Sequence, residues 1–511
     1  HKTGYVLGSV CVYSINYVRQ LGEYCYKLGL AFTDEQLSLS TDKYIQTQLE
    51  VGQFLFNDDW VQTLRRAALN YYKPICSAQI DDVFTSSRPR TGPGSFYGSS
   101  ALTRETGIPW HVWKLYPDSV TGLCNRSQVP FSGYFKPYPG YTRAKPQKGR
   151  VFVSGDGTLS VVNTYHDPTS TEHKSRTFVD EARICEVKFV KKDSRGPRVI
   201  SKEPYHQLRG QLAFFDWLSA SLTDVSGGTI NFVDQSINRR LAQVGSLTKK
   251  YSTLDLKDAS DRVSFALAKK VFNEAPAIRW FLTHSRSTHY QLGNHVAPLN
   301  SVAGMGSGLT FPLLAFIVQL SVCCAIVKRT GLSYNKVRSQ VYVYGDDLVV
   351  PTVWYRYAVE GLELSNLKVN NEKSYRFSSF RESCGGDYFE GNECAPIRLK
   401  LSFCELPKPQ DCRDELTIRR DDASLVLGLV RHAELLRRSG LNKTASYVER
   451  TLSSVIPMPY VGSGSPLLGR WTWDSTQIYR QGASGDLSHP DGYIFHVATV
   501  RPVKTDSSKQ C

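Results

Sequence analysis

Three aspartates carry the chemistry that this sequence offers. Asp346 and Asp347 stand together in VYVYGDDLVV, Val341 to Val350, where apolar residues alternate on both sides of Gly345, Asp346 and Asp347. That pattern predicts a tight β-hairpin with two carboxylates at its tip. Neighbouring carboxylates repel and burial pushes both towards protonation, so a hard cation such as Mg²⁺ between them gives the least strained arrangement. Glycine and aspartate also form turns for no further purpose, so the tripeptide needs partners. Asp255 is one: YSTLDLKDASDRVSFALAKKVF, Tyr251 to Phe272, reads as a strand ending at Asp255 and a helix from near Ala259. Its carboxylate then stands at the C-terminal end of a strand. Asp258 and Asp261 follow at the helix start, where acids also serve as caps.

Other stretches supply groups that would handle anions. EVKFVKKDSRGPRVISKEP, Glu186 to Pro204, predicts two strands around a turn at Asp193 to Pro197, with Lys188, Lys191, Lys192, Arg195, Arg198 and Lys202 crowding one hairpin. Like charges this close repel unless an anion is present, and a triphosphate would relieve them; a solvated edge strand that resists aggregation is the other reading. NSVAGMGSGLTFPLLAFIVQLSV, Asn300 to Val322, predicts a glycine-rich loop feeding a buried helix. Gly304, Gly306 and Gly308 let backbone approach a ligand closely, while Ser307 and Thr310 offer hydroxyls. Residues 130–150 interleave tyrosines with Arg143 and Lys145, a mixture suited to single-stranded nucleic acid. A locally packed, proline-rich surface loop fits the same residues.

The elements that must position these groups are legible in outline. The chain has 511 residues, 41% of them hydrophobic, enough for a large core and two or three subdomains. Its net charge of +15 points to a polyanionic partner, nucleic acid before membrane. Twelve cysteines without a CxxC pair read as reduced thiols, and the spacings of Cys384, Cys394, Cys404 and Cys412 do not match structural zinc. The apolar run Phe311 to Val327 is near membrane-spanning length, yet Pro312, Gln319 and Ser321 interrupt it and favour a buried helix. No signal peptide is evident, and a first residue of His1 rather than Met suggests a trimmed N-terminus. Two amphipathic helices are expected before Tyr72, and helices again after Leu401. SSRPRTGPGSFYGSS lacks the phosphate-binding GxxxxGK[ST] pattern and reads as a connector.

In order, the chain offers a basic hairpin, an acid at a strand end, a glycine-rich loop into a helix, a GDD hairpin, and Lys373 after a helix. That order resembles motifs F, A, B, C and D of RNA-dependent RNA polymerases. DLKDASDRVS, GMGSGLTF, VYGDDLVV, NNEKS and FRESCGGDYFEG, with DQSINRRLA and TGPGS, resemble the replicase catalytic (beta) subunit of single-stranded RNA bacteriophages, the leviviruses, from about residue 90 to 400. One departure is the motif B loop, which reads GNG then TFELE in better-known members and here runs Gly306, Ser307, Gly308, then Thr310, Phe311, Pro312, Leu313.

The resemblance implies an α+β right-hand polymerase with an antiparallel-sheet palm, fingers and a helical thumb. Residues 1–110 would bridge fingers and thumb; 111–250 would form fingers with the motif F hairpin. Residues 251–400 would form the palm, with a fingers insertion near 266–299, and 401–511 the thumb and tail. It implies two Mg²⁺ ions about 3.5–4 Å apart, replaceable by Mn²⁺, on Asp255, Asp346 and Asp347, with Lys373 as a catalytic proton donor. Lys192, Arg195, Arg198, Asp261, Ser307 and Thr310 would bind the nucleotide, and Arg143, Lys145, Gly304 and Gly306 the RNA. Template RNA and nucleoside triphosphates would be joined by host elongation factors Tu and Ts, a small-subunit ribosomal protein and Hfq, in the cytoplasm of the infected bacterium, with no membrane. Synthesis without a primer is expected. A reverse transcriptase-like enzyme and a non-catalytic RNA-binding protein are the competing functions.

Overall fold

The computed structural model describes residues 11–28, 31–87, 150–153, 159–165, 176–179, 184–194, 196–400, 420–462, 465 and 467–474. Arg143, Lys145 and Arg195 lie outside them. The chain divides into two compact units: 1–12, 32–190 and 196–395 form the first, and 13–31, 191–195 and 396–511 the second.

The first unit is built around the helix Thr310–Thr330. Apolar residues occupy nearly its whole circumference, and every residue from Pro312 to Ile326 is buried, as a helix enclosed on all sides requires. By length and composition it is long enough to cross a membrane, but it is packed inside the protein. Gly361 of the helix Tyr355–Leu364 lies against the Ser321 carbonyl with no room for a Cβ, so the two helices approach closely. The helix Asp58–Tyr71 packs on the same core, its N-terminus capped by Asn57 and its first turn carrying Asp58 and Asp59.

Against this core lies a three-stranded antiparallel sheet, ordered Tyr342–Tyr344, Asp347–Pro351, Tyr251–Leu254. The expected GDD hairpin, the preceding strand and the helix Ala259–Arg262 are all present. A second sheet is ordered Gly196–Lys202, Ile184–Asp193, His289–Leu292, His295–Pro298. The basic hairpin is thus extended by a strand pair from the 266–299 stretch. A meander of Phe380–Ser383, Gly386–Phe389 and Asn392–Glu393 follows, and the helix Ser236–Thr248 lies along it. Helices and mostly antiparallel strands make the unit α+β.

The second unit gathers the helices Val12–Glu23, Arg420–Arg438 and Asn442–Leu452. Leu429, Leu436, Val448 and Leu452 form its core. Arg437 forks onto the buried Glu449, Nε to Oε1 at 2.6 Å and the second guanidinium nitrogen to Oε2 at 2.5 Å. Tyr24 Oη lies 3.0 Å from His432 Nε2. All eight cysteines recorded among the described residues are free thiols.

Candidate active site

Sheet register brings the three aspartates together. Leu348 pairs with Leu254 and Val349 with Thr253, so one step further along this antiparallel ladder Asp347 stands across from Asp255. Directly opposed residues share a face. Tyr344 pairs with Asp347 across the hairpin, leaving Gly345 and Asp346 as a two-residue loop. Gly345 has φ of +64°, as the first residue of a II′ turn requires, and a Cβ there would strike the Phe311 ring.

Electrostatics agree with this proximity. Burial, then the charges of Asp346 and Asp255, push the Asp347 carboxyl up to about 7. Burial also raises Asp255, opposed by an Asn370 hydrogen bond and the Lys373 charge, and assisted by Asp346 and Glu382. Asn370 Nδ2 donates to Asp255 Oδ2 at 2.8 Å. The strand end is fixed by its backbone too: Asn370 N–H donates to Asp255 O at 2.8 Å, and Asp255 N–H to Ser374 Oγ at 3.1 Å.

The surrounding stretches hold this turn. Asn238 Nδ2 donates to Asp347 O at 3.3 Å, and Arg239 Nε to Cys384 O at 2.9 Å. The Cys384 N–H in turn hydrogen-bonds the Asp347 carboxylate. Arg381, fully buried, donates to the carbonyls of Tyr251, Ser378, Phe380 and Arg376 between 2.6 and 2.8 Å. The DQSINRR and FRES stretches therefore act as braces for the acidic turn. Lys373 Nζ lies 3.9 Å from Glu382 Oε1. Asn238, Asn370, Arg381 and Glu382 were not among the residues singled out from sequence, because each meets the aspartates through a partner more than a hundred positions away or through a neighbour of one.

The donor set suits a hard cation. Asp346 is near enough for its charge to raise the Asp255 carboxyl, while among the described residues no three His, Cys, Asp or Glu side chains are grouped so as to hold a metal ion by themselves. Mg²⁺ is bound in this manner, through one or two carboxylates with water and substrate phosphates completing the shell.

Downstream, Asp261 sits beside the glycine loop, and burial, then Asp258, push its carboxyl up to about 7. Asp258 does not cap its helix: it adopts φ of +50° with no side-chain cap bond and pairs with Lys43 at 2.6 Å. Ser307 Oγ donates to Gln211 Oε1 at 2.8 Å, and Thr310 Oγ1 to the carbonyls of Ala303 at 3.1 Å and Gly304 at 2.8 Å. Both hydroxyls are thus engaged, Ser307 with the helix Tyr205–Val225 and Thr310 with carbonyls of its own loop. Arg198 is exposed and makes no ion pair among the described residues, whereas Lys188 and Lys202 flank Glu186 at 2.7 and 3.5 Å. Lys192 is exposed and belongs to the second unit.

Residues 156–408 match the family model described as RNA replicase, beta-chain. The chain is 31% identical over 217 residues to the RNA-directed RNA polymerase beta chain of Enterobacteria phage fr, covering 42% of this chain and 38% of that one. It is 30% identical over 211 residues to the RNA-directed RNA polymerase beta chain of Escherichia phage MS2, covering 41% and 37%. The matched stretch thus spans well under half the length of these relatives. A solved RNA-dependent RNA polymerase of a human picorbirnavirus superposes with TM-score 0.47 at 12% identity, over 86% of this chain and 77% of that one.

Proposed function

We infer, from the premise that this chain belongs through residues 156–408 to the RNA replicase beta-chain family, that it is an RNA-directed RNA polymerase replicating a positive-strand RNA phage genome. One observation carries this reading: the register of a single sheet sets Asp255 across from Asp347 and beside Asp346, within the family-matched stretch. In the reaction, the 3′-hydroxyl of the growing RNA attacks the α-phosphorus of a nucleoside triphosphate, and the bond to pyrophosphate breaks.

Asp255 and Asp346 would hold Mg²⁺, or Mn²⁺ in its place, with Asp347 supporting from the same turn. Two such ions, when bound, lower the pKa of the attacking hydroxyl and offset charge on the leaving pyrophosphate. The chain's own residues do the rest. Asn370 orients the Asp255 carboxylate through its 2.8 Å bond. Arg198 is free to meet the triphosphate, with Lys192 and Arg195 assigned to the same task, since charge neutralisation dominates phosphoryl transfer. Lys373 is the candidate proton donor to pyrophosphate. Asp261, with Ser307 and Thr310, is assigned to reading the ribose 2′-hydroxyl, and Gly304, Gly306, Arg143 and Lys145 to binding the RNA.

In this reading 251–400 is the palm, with fingers before it and thumb after it. Synthesis starts without a primer in the cytoplasm of the infected bacterium, with elongation factors Tu and Ts, a ribosomal protein and Hfq as host partners. The test is incorporation by the purified chain, with host factors added, of ribonucleotides on an RNA template with Mg²⁺. The product should be complementary to the template. Equal use of deoxyribonucleotides would favour a reverse transcriptase-like enzyme, and RNA binding without incorporation would favour a non-catalytic protein.

A further inference from the structure

The strand Gly196–Lys202 and the loop before the helix Thr310–Thr330 meet at Ser201. The Ser201 N–H donates to Met305 O at 2.7 Å. Two loop glycines owe their identity to this residue. A Cβ on Gly304 would overlap the Ser201 hydroxyl, and one on Gly306, where φ is +117°, would overlap the Ser201 carbonyl oxygen. The position a Gly304 Cβ would take also lies 3.6 Å from Asp261 Oδ1. The Ser201 hydroxyl and the Asp261 carboxylate therefore border the same small space.

Tyr44, from the helix Asp34–Gln53, lies within reach of both the Ser201 hydroxyl and the Asp261 charge. Burial, then the charge of Asp261, holds its phenol well above the ordinary range, so it stays a proton donor. Ser201 and Tyr44 are each 3% exposed, and neither hydroxyl completes a well-formed hydrogen bond, although each is near enough to the other for the Ser201 hydroxyl to favour ionisation of the phenol. Buried hydroxyls are almost always satisfied. Two unsatisfied donors beside one carboxyl mark a place where polar atoms from outside complete the network.

We infer that Ser201 and Tyr44 are positioning residues for ribose selection, fixing the Asp261 carboxyl and the Gly304–Gly306 backbone where the sugar of an incoming ribonucleotide is read. The inference rests on the polymerase reading above. A site built to hydrogen-bond a hydroxyl rejects the analogue lacking it, because its own buried groups are then left unpaired.

The experiment is calorimetric titration of the full chain with ATP and with 2′-deoxy-ATP. Wild type should prefer ATP. Ser201→Ala and Tyr44→Phe should each narrow that preference roughly three- to tenfold, through weaker ATP binding with dATP affinity held. Gly304→Ala should abolish the preference, and Ser201→Gly in the same chain should restore part of it by vacating the overlapped space. A purely structural role would lower the melting temperature of Ser201→Ala and Tyr44→Phe while leaving the ATP to dATP ratio at the wild-type value, and that result overturns the inference. So does a wild type that binds both nucleotides equally. Incorporation is scored separately: a chain that selects ATP in the predicted way yet copies no template upholds the sugar assignment and refutes the polymerase.

Discussion

The acidic turn and the sugar-facing loop are held in place by different means. Around Asp255, Asp346 and Asp347 the backbone does the positioning, through a paired sheet and a glycine with φ of +64°. Around Asp261 the work falls to side chains of one distant helix, Asp34–Gln53. Lys43 pairs with Asp258 at 2.6 Å, and Glu50 Oε2 takes both Arg262 and Lys368 at 2.7 Å. Gln48 Oε1 accepts from the N–H groups of Asn300 and Ser301 at 3.0 and 3.2 Å. A site built on register tolerates changes in its surface neighbours but not in its backbone. A site built on side-chain struts has the opposite vulnerability, with many small contributions that can be removed singly.

The largest break in this contrast should come from Arg381→Met, which strips four carbonyls of their buried donor. A loss of about 3–5 kcal/mol is expected, since unpaired buried polar groups cost about 1–3 kcal/mol each and relaxation recovers part; urea denaturation would measure it. Gly345→Ala should come next. The left-handed backbone costs about 1–2 kcal/mol, and the methyl would meet the Phe311 ring. Incorporation should fall by roughly 10²-fold, as misplacement of reacting groups by about 1 Å does, and a variant with full activity would show that the turn is not rigid.

Asp261→Asn sharpens the loop side of the comparison through pH. Asp261 binds its proton more tightly folded, at about 7, than at its ordinary 3.8, so its contribution to wild-type stability declines as pH rises through that interval. The variant lacks this slope. Its melting temperature relative to wild type should therefore be higher at pH 8 than at pH 4, and parallel curves would contradict the assignment. Glu50→Gln should have the smallest effect. Lys368 and Arg262 hold the Glu50 carboxyl down from 4.5 to about 2, so its contribution is present above pH 4.5 and is lost as pH falls towards 2. With the side chain a third exposed, under about 1 kcal/mol is expected, read as a variant-to-wild-type difference that vanishes in acid.

The contrast also explains what the sequence made legible. VYVYGDDLVV and the strand before Asp255 are local period-2 patterns, so the hairpin and the strand end could be read directly. The interrupted apolar run likewise read correctly as a buried helix. That Asp347 stands across from Asp255 is a matter of register between segments about ninety residues apart, and the motif order supplied only the expectation that Asp255 and Asp346 work together. Lys43, Tyr44, Gln48 and Glu50 looked like one amphipathic helix, because nothing local distinguishes a residue facing solvent from one reaching a partner two hundred positions away. Asp258 looked like a helix cap for the same reason, and its ion pair with Lys43 emerged only in three dimensions. The family match spans 156–408, so the helix supplying those struts precedes the matched stretch.

The most direct test of the central claim is template-dependent ribonucleotide incorporation by wild type and Asp346→Asn side by side, with matched melting curves. The substitution keeps the shape of the turn and removes one carboxylate charge. A loss of roughly 10³-fold or more in incorporation, with an unchanged or higher melting temperature, is the predicted result. Wild-type rates in Asp346→Asn would contradict the assignment of the acidic turn to catalysis.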